Sequence, residues 1–304
     1  MPLRRAILYL SSHKALRNRM ETSPTARRFS SRFVAGSRLE DALDVVRRIQ
    51  ADGIRATLDY LGENVKSLDE AAACRDMYLR MLHAMQAAGV EPNVSIKLTQ
   101  FGLDLSEAVC EENVAALVKA AAAIGGFVRF DMESSQYTDR TLSLVTRIHA
   151  QHQACGTVLQ AYLRRSAADL DCLEKERIRV RLCKGAYLEA ADVAFEEKAQ
   201  VDRNYLELAK SLLTAGEYPA IATHDERIIT ELEAFVSSEG IARDRFEFQM
   251  LYGIRRDLQR RLVREGYRLR LYVPFGEAWY PYFMRRLAER PANLLFFARN
   301  LFRG

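Results

Sequence analysis

The sequence predicts a (β/α)8 barrel, and three observations lead to this prediction. Eight short runs rich in β-branched and apolar residues recur along the chain, and helical patterns separate them. Several helical patterns end at glycine, the residue that most easily takes the left-handed conformation closing a helix. The G-x-G-x-x-G string usual after the first strand of a nucleotide-binding open sheet is absent. Eight strand–helix units over about 250 residues suit a closed barrel, and a doubly wound open sheet is the alternative.

The predicted strands follow one another in a regular series. In chain order they are RATLDYLG, NVSIKLT, FVRFDME, TVLQAYL, RVRLCKG, AIATHD, FEFQMLY and RLRLYVPFG. Long helical patterns such as SLDEAAACRDMYLRMLHAMQAAG lie between them. The glycines expected to close helices are Gly89, Gly125, Gly216, Gly240 and Gly266. We therefore assign residues 51–304 to the barrel.

The first 39 residues have a composition of their own, with nine Lys/Arg and a single acid, Glu21. This composition is typical of an organellar transit peptide, but it also suits a basic helical arm packed on the domain. The segment continues into the patterned helix LEDALDVVRRIQADG without a boundary that resembles a cleavage site. We therefore predict an N-terminal helical arm over residues 1–50.

The bulk composition argues against several classes of protein. A hydrophobic content of 49% and a charged content of 28% are ordinary for a globular protein, and the net charge of +5 is too mild to indicate a nucleic-acid binder. No apolar run reaches the roughly 18 residues that a membrane-spanning helix needs. The five cysteines are scattered without a C-x-x-C pair, a pattern typical of reduced thiols in a cytosolic protein.

Polar side chains recur near the carboxyl ends of the predicted strands, where barrel enzymes have their active sites. A charge within an apolar strand is costly to bury unless it is paired. One such charge would suit a structural ion pair, whereas several at the same end of a barrel favour a site. The candidates are Lys97, Asp131, Gln160, Arg181, Lys184, Thr223, His224, Gln249 and Tyr272.

The last predicted helix carries a polar stripe in YPYFMRRLAER, residues 280–290. Tyr282, Arg285, Arg286 and Glu289 share one helical face at spacings of three, four and seven. One interpretation is a solvated face with an internal Arg–Glu pair. The other is that the two adjacent arginines, here named the clamp arginines, bind a carboxylate beside an aromatic ring.

The residue types argue against the commonest kinds of catalytic site. Only His224 among the five histidines lies at a predicted strand end, whereas a catalytic metal usually has three protein ligands. The G-x-S-x-G string of serine hydrolases and the P-loop are both absent. Cations, one or two acids, amides and tyrosines remain. Such a site binds an anionic substrate and leaves bond breaking to a cofactor.

Five long motifs of the chain resemble those of monofunctional bacterial proline dehydrogenases. They are VRLCKGAY, SIKLTQFGLDLS, FVRFDMESSQYTD, RLYVPFGEAWYPYFMRRLAERPANLLFF and RRFSSRFVAGSRLEDAL. The resemblance spans nearly the whole chain, and the motifs occur in the family's order. It implies a distorted (β/α)8 TIM-type barrel with an N-terminal helical arm, FAD as cofactor, and oxidation of L-proline to Δ1-pyrroline-5-carboxylate. It also implies electron transfer to a membrane quinone from a cytoplasmic position on the inner membrane face.

The resemblance implies roles for individual residues. Arg285 and Arg286 would bind the proline carboxylate, and Glu289 would hold them in place. The other expected substrate contacts are Lys97, Leu251, Tyr272 and Tyr282. Catalytic roles are expected for Lys97, Asp131 and Arg181. The expected FAD contacts are Asp131, Gln160, Arg181, Lys184, Gly185, Ala186, Tyr187, Thr223, His224 and Gln249.

Several points stay open at this stage. The group that takes the amine proton could be Asp131, a tyrosinate or water, and the oligomeric state is not indicated. The bulk of Tyr282 favours proline over 4-hydroxyproline, because relatives acting on hydroxyproline have a smaller residue there. We expect no DNA-binding or second dehydrogenase domain in a chain of this length, so the product would pass to a separate pyrroline-5-carboxylate dehydrogenase. The alternatives are a flavin barrel for another cyclic amino acid and a non-catalytic membrane-surface protein using IRRDLQRRLVREGYRLR.

Overall fold

Eight parallel strands form a closed barrel in the computed structural model, which describes Met20, residues 30–62 and residues 64–289, without the side chains of 285–289. The strands are Arg55–Tyr60 (β1), Asn93–Ile96 (β2), Phe127–Phe130 (β3), Cys155–Gln160 (β4), Arg179–Cys183 (β5), Ala220–Ala222 (β6), Glu247–Leu251 (β7) and Leu269–Phe275 (β8). Each strand pairs with its neighbours in sequence, and β1 pairs with β8 from Arg55–Arg270 to Tyr60–Phe275. All eight predicted strands are confirmed, and the barrel replaces the open-sheet alternative.

Helices alternate with the strands. They are Leu39–Ala51 (α1), Leu68–Ala87 (α2), Glu107–Ala123 (α3), Thr138–Gln151 (α4), Ser166–Lys175 (α5), Lys198–Ala215 (α6), Glu226–Ser238 (α7), Arg256–Arg264 (α8) and Trp279–Glu289 (α9). The helices α2 and α3 begin where Ser67 and Ser106 accept a hydrogen bond from the backbone N–H three residues later. Within the described ranges, no helix is long and apolar enough to cross a bilayer.

The predicted helix-closing glycines take the left-handed conformation at four positions, Gly89, Gly125, Gly240 and Gly266. The prediction was wrong for Gly216, which is extended at φ −71° and ψ 151°. The chain leaves α6 in an extended conformation there, and the positive φ of this connection falls on Tyr218 instead.

The apolar core lies between the strands and the surrounding helices. Outward-facing side chains of the strands are buried in one large cluster with the inner faces of the helices, among them Leu58, Val94, Val128, Leu182, Ile221, Phe248 and Val273. Side chains alternate along a strand, so the intervening residues point into the barrel. Many of these are polar: Thr57, Asp59, Ser95, Arg129, Arg181, Glu247, Gln249 and Arg270. The interior of this barrel therefore contains a hydrogen-bonded network of polar side chains. In most (β/α)8 barrels branched apolar residues fill this space.

Two helices depart from the regular barrel pattern. The helix α1 precedes β1, yet it packs against both β1 and β8. It thereby fills the place outside these strands that a helix following β8 takes in a regular barrel. The helix α9 does follow β8, but it packs against Val34 and against Leu61 just beyond β1. The contacting side chains of α9 are Trp279, Tyr280, Tyr282, Phe283 and Met284.

The positions of α1 and α9 distort the barrel relative to the regular (β/α)8 pattern. The predicted helical arm over residues 1–50 stays a prediction as a unit, because residues 1–19 and 21–29 lie outside the described part.

Candidate active site

Arg181 lies at the centre of a hydrogen-bonded cluster inside the barrel. Arg181 is only 4% exposed. The Nε donates to Gln249 Oε1 at 2.5 Å, Nη1 donates to Asp131 Oδ1 at 2.7 Å, and Nη2 donates to Ser95 Oγ at 3.0 Å. These partners come from β7, from the residue after β3 and from β2. The guanidinium is therefore preorganised by three other parts of the barrel.

Asp131, directly after β3, connects Arg181 to Tyr272 of β8. The Tyr272 hydroxyl donates to Asp131 Oδ2 at 2.9 Å, and the Arg181 guanidinium carbon lies 5.4 Å from the Tyr272 ring centroid. Burial raises the pKa of Asp131 above its ordinary value, although the nearby cations Arg181 and Lys97 act in the opposite direction. Burial and the Asp131 carboxylate hold the pKa of Tyr272 well above its usual range, so this phenol keeps its proton at neutral pH.

Lys97 follows β2 directly and forms a buried ion pair with Asp59 of β1. The Lys97 Nζ donates to Asp59 Oδ1 at 3.1 Å, and the two side chains are 10% and 1% exposed. Asp59 Oδ2 is buried and accepts no hydrogen bond from the residues that the structure describes. Such an orphaned acceptor in a polar cavity can receive a donor from a ligand. Asp59 was missed in the sequence, where the signal was a single acid at an inward position of an apolar strand.

A second charged layer, also missed in the sequence, lies deeper in the barrel. Glu247 Oε1 accepts from Gln249 Nε2 at 2.5 Å and from Arg270 Nε at 2.7 Å. Arg270 in turn donates through Nη2 to Glu91 at 2.9 Å. Burial acts to raise the pKa of Glu247, but the Arg270 guanidinium and the hydrogen bonds outweigh it and lower that pKa, so the carboxylate stays ionised.

The predicted cofactor contacts on β4 and β5 lie at the carboxyl ends of these strands. Gln160 ends β4, where its Nε2 donates to the Met132 carbonyl at 3.4 Å. Its buried Oε1 accepts no hydrogen bond within the described part of the chain. Lys184 follows β5, and its Nζ donates to Asp202 Oδ1 at 2.5 Å and to Asp225 Oδ2 at 3.0 Å.

Gly185 is the next residue after Lys184 and has a φ of +112°. A Cβ at this position would lie 2.2 Å from the Tyr162 ring, so only glycine fits this turn. Ala186 and Tyr187 continue the same connection and are half-buried.

Thr223 and His224 follow β6 directly. Thr223 Oγ1 accepts from the Asp225 backbone N–H at 3.1 Å. His224 Nε2 accepts from the Leu251 backbone N–H at 2.9 Å, which fixes the imidazole against the end of β7. In the described part of the chain, no group of three or more His, Cys, Asp or Glu is arranged to hold a metal ion.

The structure brings Lys97, Asp131, Arg181, Gln249 and Tyr272 together at one end of the barrel. Tyr272 also packs against the apolar cluster that contains the buried Tyr282 of α9. The backbone of α9 extends to Glu289. The side chains of Arg285, Arg286 and Glu289 lie outside the described residues, so the proposed carboxylate clamp stays a prediction.

The chain is similar to known proteins over most of its length. A family model described as Proline dehydrogenase matches residues 42–299. A protein named Proline dehydrogenase from Deinococcus radiodurans is 45% identical over 282 residues, which are 90% of each chain. Proline dehydrogenase 1 of Bacillus subtilis strain 168 is 40% identical over 299 residues, 98% of this chain and 99% of that protein.

A solved structure shares the fold as well. The crystal structure of proline utilization A (PutA) from Bdellovibrio bacteriovorus, inactivated by N-propargylglycine, superposes with a TM-score of 0.81 at 27% sequence identity. The match covers 86% of this chain and 32% of the PutA chain, so this chain spans only part of that larger protein.

Proposed function

The chain belongs to the proline dehydrogenase family, and from this premise we propose that it oxidises L-proline to Δ1-pyrroline-5-carboxylate with FAD as its cofactor. FAD, when bound, accepts the hydride from the ring carbon next to nitrogen. The observation that carries the proposal is the buried guanidinium of Arg181, held by Asp131, Gln249 and Ser95. A fixed cationic donor at this end of the barrel stabilises an electron-rich reduced ring.

The side chains at the ends of β4 and β5 fit a flavin. Among the described residues, no donor reaches the buried Oε1 of Gln160, so this oxygen can accept from the N–H of a bound ring. Lys184 adds a cation beside the turn at Gly185, whose missing side chain allows close backbone approach. The residues proposed to hold FAD are Asp131, Gln160, Arg181, Lys184, Gly185, Ala186, Tyr187, Thr223, His224 and Gln249.

Cations are proposed to hold the carboxylate of proline. The clamp arginines would bind it through parallel hydrogen bonds, with Glu289 fixing their side chains. Lys97 would lie beside the same carboxylate, and its pairing with Asp59 keeps the ammonium group in the buried site. The residues proposed to pack around the proline ring are Leu251, Tyr272 and Tyr282.

Hydride loss needs the nitrogen lone pair, so bound proline must first lose an ammonium proton. Asp131 suits this role because burial raises the pKa of its carboxyl group above the ordinary value, which makes the carboxylate a better proton acceptor. The raised pKa of Tyr272 argues against a tyrosinate at that position. We therefore propose Asp131 or a water molecule beside it as the proton acceptor, with Lys97 and Arg181 as the other catalytic residues.

The surrounding pathway is part of the proposal and rests on family membership. Electrons would pass from the reduced cofactor to a membrane quinone, with the protein in the cytoplasm at the inner membrane face. The product would pass to a separate pyrroline-5-carboxylate dehydrogenase, which makes this reaction the first step of proline catabolism to glutamate. The proposed division of the chain is a helical arm over residues 1–50 and a barrel over 51–304.

The test is anaerobic addition of L-proline to the purified protein while its visible absorption is recorded. Bleaching of a bound flavin band is expected, and 4-hydroxyproline should bleach it less. A flavin that only another cyclic amino acid bleaches would keep the cofactor and change the substrate. A protein that remains colourless after incubation with FAD would refute the cofactor assignment.

A further inference from the structure

The side-chain amide of Gln249 connects the guanidinium of Arg181 to the carboxylate of Glu247. We propose that Glu247 is a positioning residue for the reaction: it fixes the side-chain amide of Gln249, and this amide fixes Arg181. The inference rests on the proposed function, because Arg181 is the residue proposed there to stabilise the reduced ring of the cofactor. The chain of contacts runs from Arg270 through Glu247 and Gln249 to Arg181.

The Gln249 amide lies between one group that only donates and one that only accepts. Its Oε1 accepts from Arg181 Nε at 2.5 Å, and its Nε2 donates to Glu247 Oε1 at 2.5 Å. A guanidinium has no acceptor and an ionised carboxylate has no donor. Only one of the two amide orientations therefore satisfies both neighbours.

Glu247 is itself held in place. Arg270 Nε donates to its Oε1 at 2.7 Å, and the two side chains are each 3% exposed. The Tyr218 hydroxyl donates to Oε2 at 3.3 Å. Because Arg270 neutralises it in the barrel interior, the carboxylate remains ionised and able only to accept.

Without the Glu247 carboxylate, the NH2 group of Gln249 loses its acceptor, and the donor of Arg181 alone still favours the present orientation of the amide. The reversed amide would point its NH2 group at Arg181 Nε–H, so two donors would face each other in a buried site. Either orientation leaves a buried donor unsatisfied, which is costly, and the amide and the guanidinium would separate to relieve it. Arg181 would then keep only its contacts with Asp131 and Ser95.

The experiment compares the wild type with Glu247→Ala, Glu247→Ala/Gln249→Glu and Glu91→Gln. In the double variant, residue 249 carries a carboxylate, and either of its oxygens accepts from Arg181, so no orientation needs to be selected. Both variants with Glu247→Ala remove the acceptor of Arg270, so any loss caused by Arg270 alone is the same in the two. Glu91→Gln removes the charge on the far side of Arg270, where Glu91 does not touch Gln249.

Two measurements are made on the FAD-loaded proteins. Glu247→Ala should lower kcat at least tenfold with the KM for proline within about twofold, because Arg181 serves the cofactor and not the substrate carboxylate. The midpoint potential of the flavin should fall by about 30 mV for each tenfold loss in stabilisation of the reduced ring. Glu91→Gln should resemble the wild type in both measurements. Because Gln249 is itself a proposed FAD contact, the double variant is compared only in the measurement without cofactor.

A third measurement needs no cofactor. Hydrogen exchange of the Arg181 Nε–H is followed by nitrogen-15 NMR, and the Arg181→Lys variant assigns the signal because it lacks it. Exchange should be slow in the wild type and the double variant and faster in Glu247→Ala. If Glu247→Ala fails to fold, the exchanged pair Glu247→Gln/Gln249→Glu replaces it. This pair retains an acceptor for Arg270 and for Arg181, so slow exchange is expected, whereas Gln249→Leu should exchange fast.

The inference is overturned if the Arg181 Nε–H exchanges equally fast in Glu247→Ala and in the double variant, since Glu247 would then act only by holding Arg270. Unchanged potential and exchange in Glu247→Ala would overturn it too, as would fast exchange in the exchanged pair. The proposed function fails in a different way. In that case the wild type neither holds FAD nor is reduced by proline, while the exchange measurement still decides the role of Glu247.

Discussion

Replacing Lys97 by methionine should destabilise the barrel by about 3–5 kcal/mol. Asp59 would remain as a buried charge, 1% exposed, whose Oδ1 has lost Lys97. Its Oδ2 already accepts no hydrogen bond from any described residue. Methionine matches the apolar stem of lysine closely, so a new cavity adds little to the loss. For a chain of this size the midpoint temperature should fall by about 5–8 °C.

The assay is thermal unfolding of the wild type, Lys97→Met, Asp59→Asn and the double variant, with flavin reduction by proline measured in parallel. The double variant has no orphaned charge and should regain at least about half of the lost stability. Its activity should stay as low as that of Lys97→Met, because both lack the ammonium group. Equal stability of Lys97→Met and the wild type would refute the reasoning. If the double variant is as unstable as Lys97→Met, the loss of stability comes from packing and not from the buried charge.

Four other outcomes are expected. Replacing either clamp arginine by methionine should raise the KM for proline roughly ten- to a hundredfold with FAD still bound; an unchanged KM would contradict the carboxylate role. Tyr282→Ser should lower activity on proline and relatively favour 4-hydroxyproline, and steady-state kinetics with both substrates decide this.

Asp131→Asn should gain stability relative to the wild type as pH rises above about 4. The reason is that the folded-state pKa of Asp131 is raised, so folding disfavours its ionised form. Urea unfolding of both proteins between pH 4.5 and 7 should show this slope, and a stability difference independent of pH would oppose it. Gly185→Ala should weaken FAD binding at least tenfold, because its Cβ would clash with Tyr162, whereas Gly125→Ala, with nothing within 4 Å, should leave it unchanged; equilibrium titration with FAD checks both.

The positions of the strands were predictable because each carries its own local signal. Runs such as NVSIKLT and RLRLYVPFG combine β-branched residues with boundaries at glycine or proline, and parallel pairing of sequence neighbours then follows from the alternation with helices. Residues at strand ends, including Lys97 and Asp131, were found because the carboxyl end of a barrel strand is a known location for a site.

The interior charges were not predictable from local patterns. Glu247 and Arg270 satisfy one another across β7 and β8, and Arg181 meets Gln249 from 68 positions away in the chain. A sequence window shows only that a charge lies in a strand, whereas strand register decides which charges meet. Gly216 shows the same limit at a helix end, because the left-handed conformation that glycine favours is taken two residues later, by Tyr218.

The position of α1 has a consequence for how the chain folds as it is synthesised. The helix emerges early, but one of the two strands that cover its apolar face, β8, ends only at Phe275. Until then Leu43, Val45 and Val46 can be covered only in part, and β1 exposes one unpaired edge. The closing contacts join residues more than 200 positions apart, so loop-closure entropy delays them. A nascent chain that stalls before β8 therefore presents both an apolar helix face and an open strand edge, the two surfaces that chaperones and aggregating chains recognise.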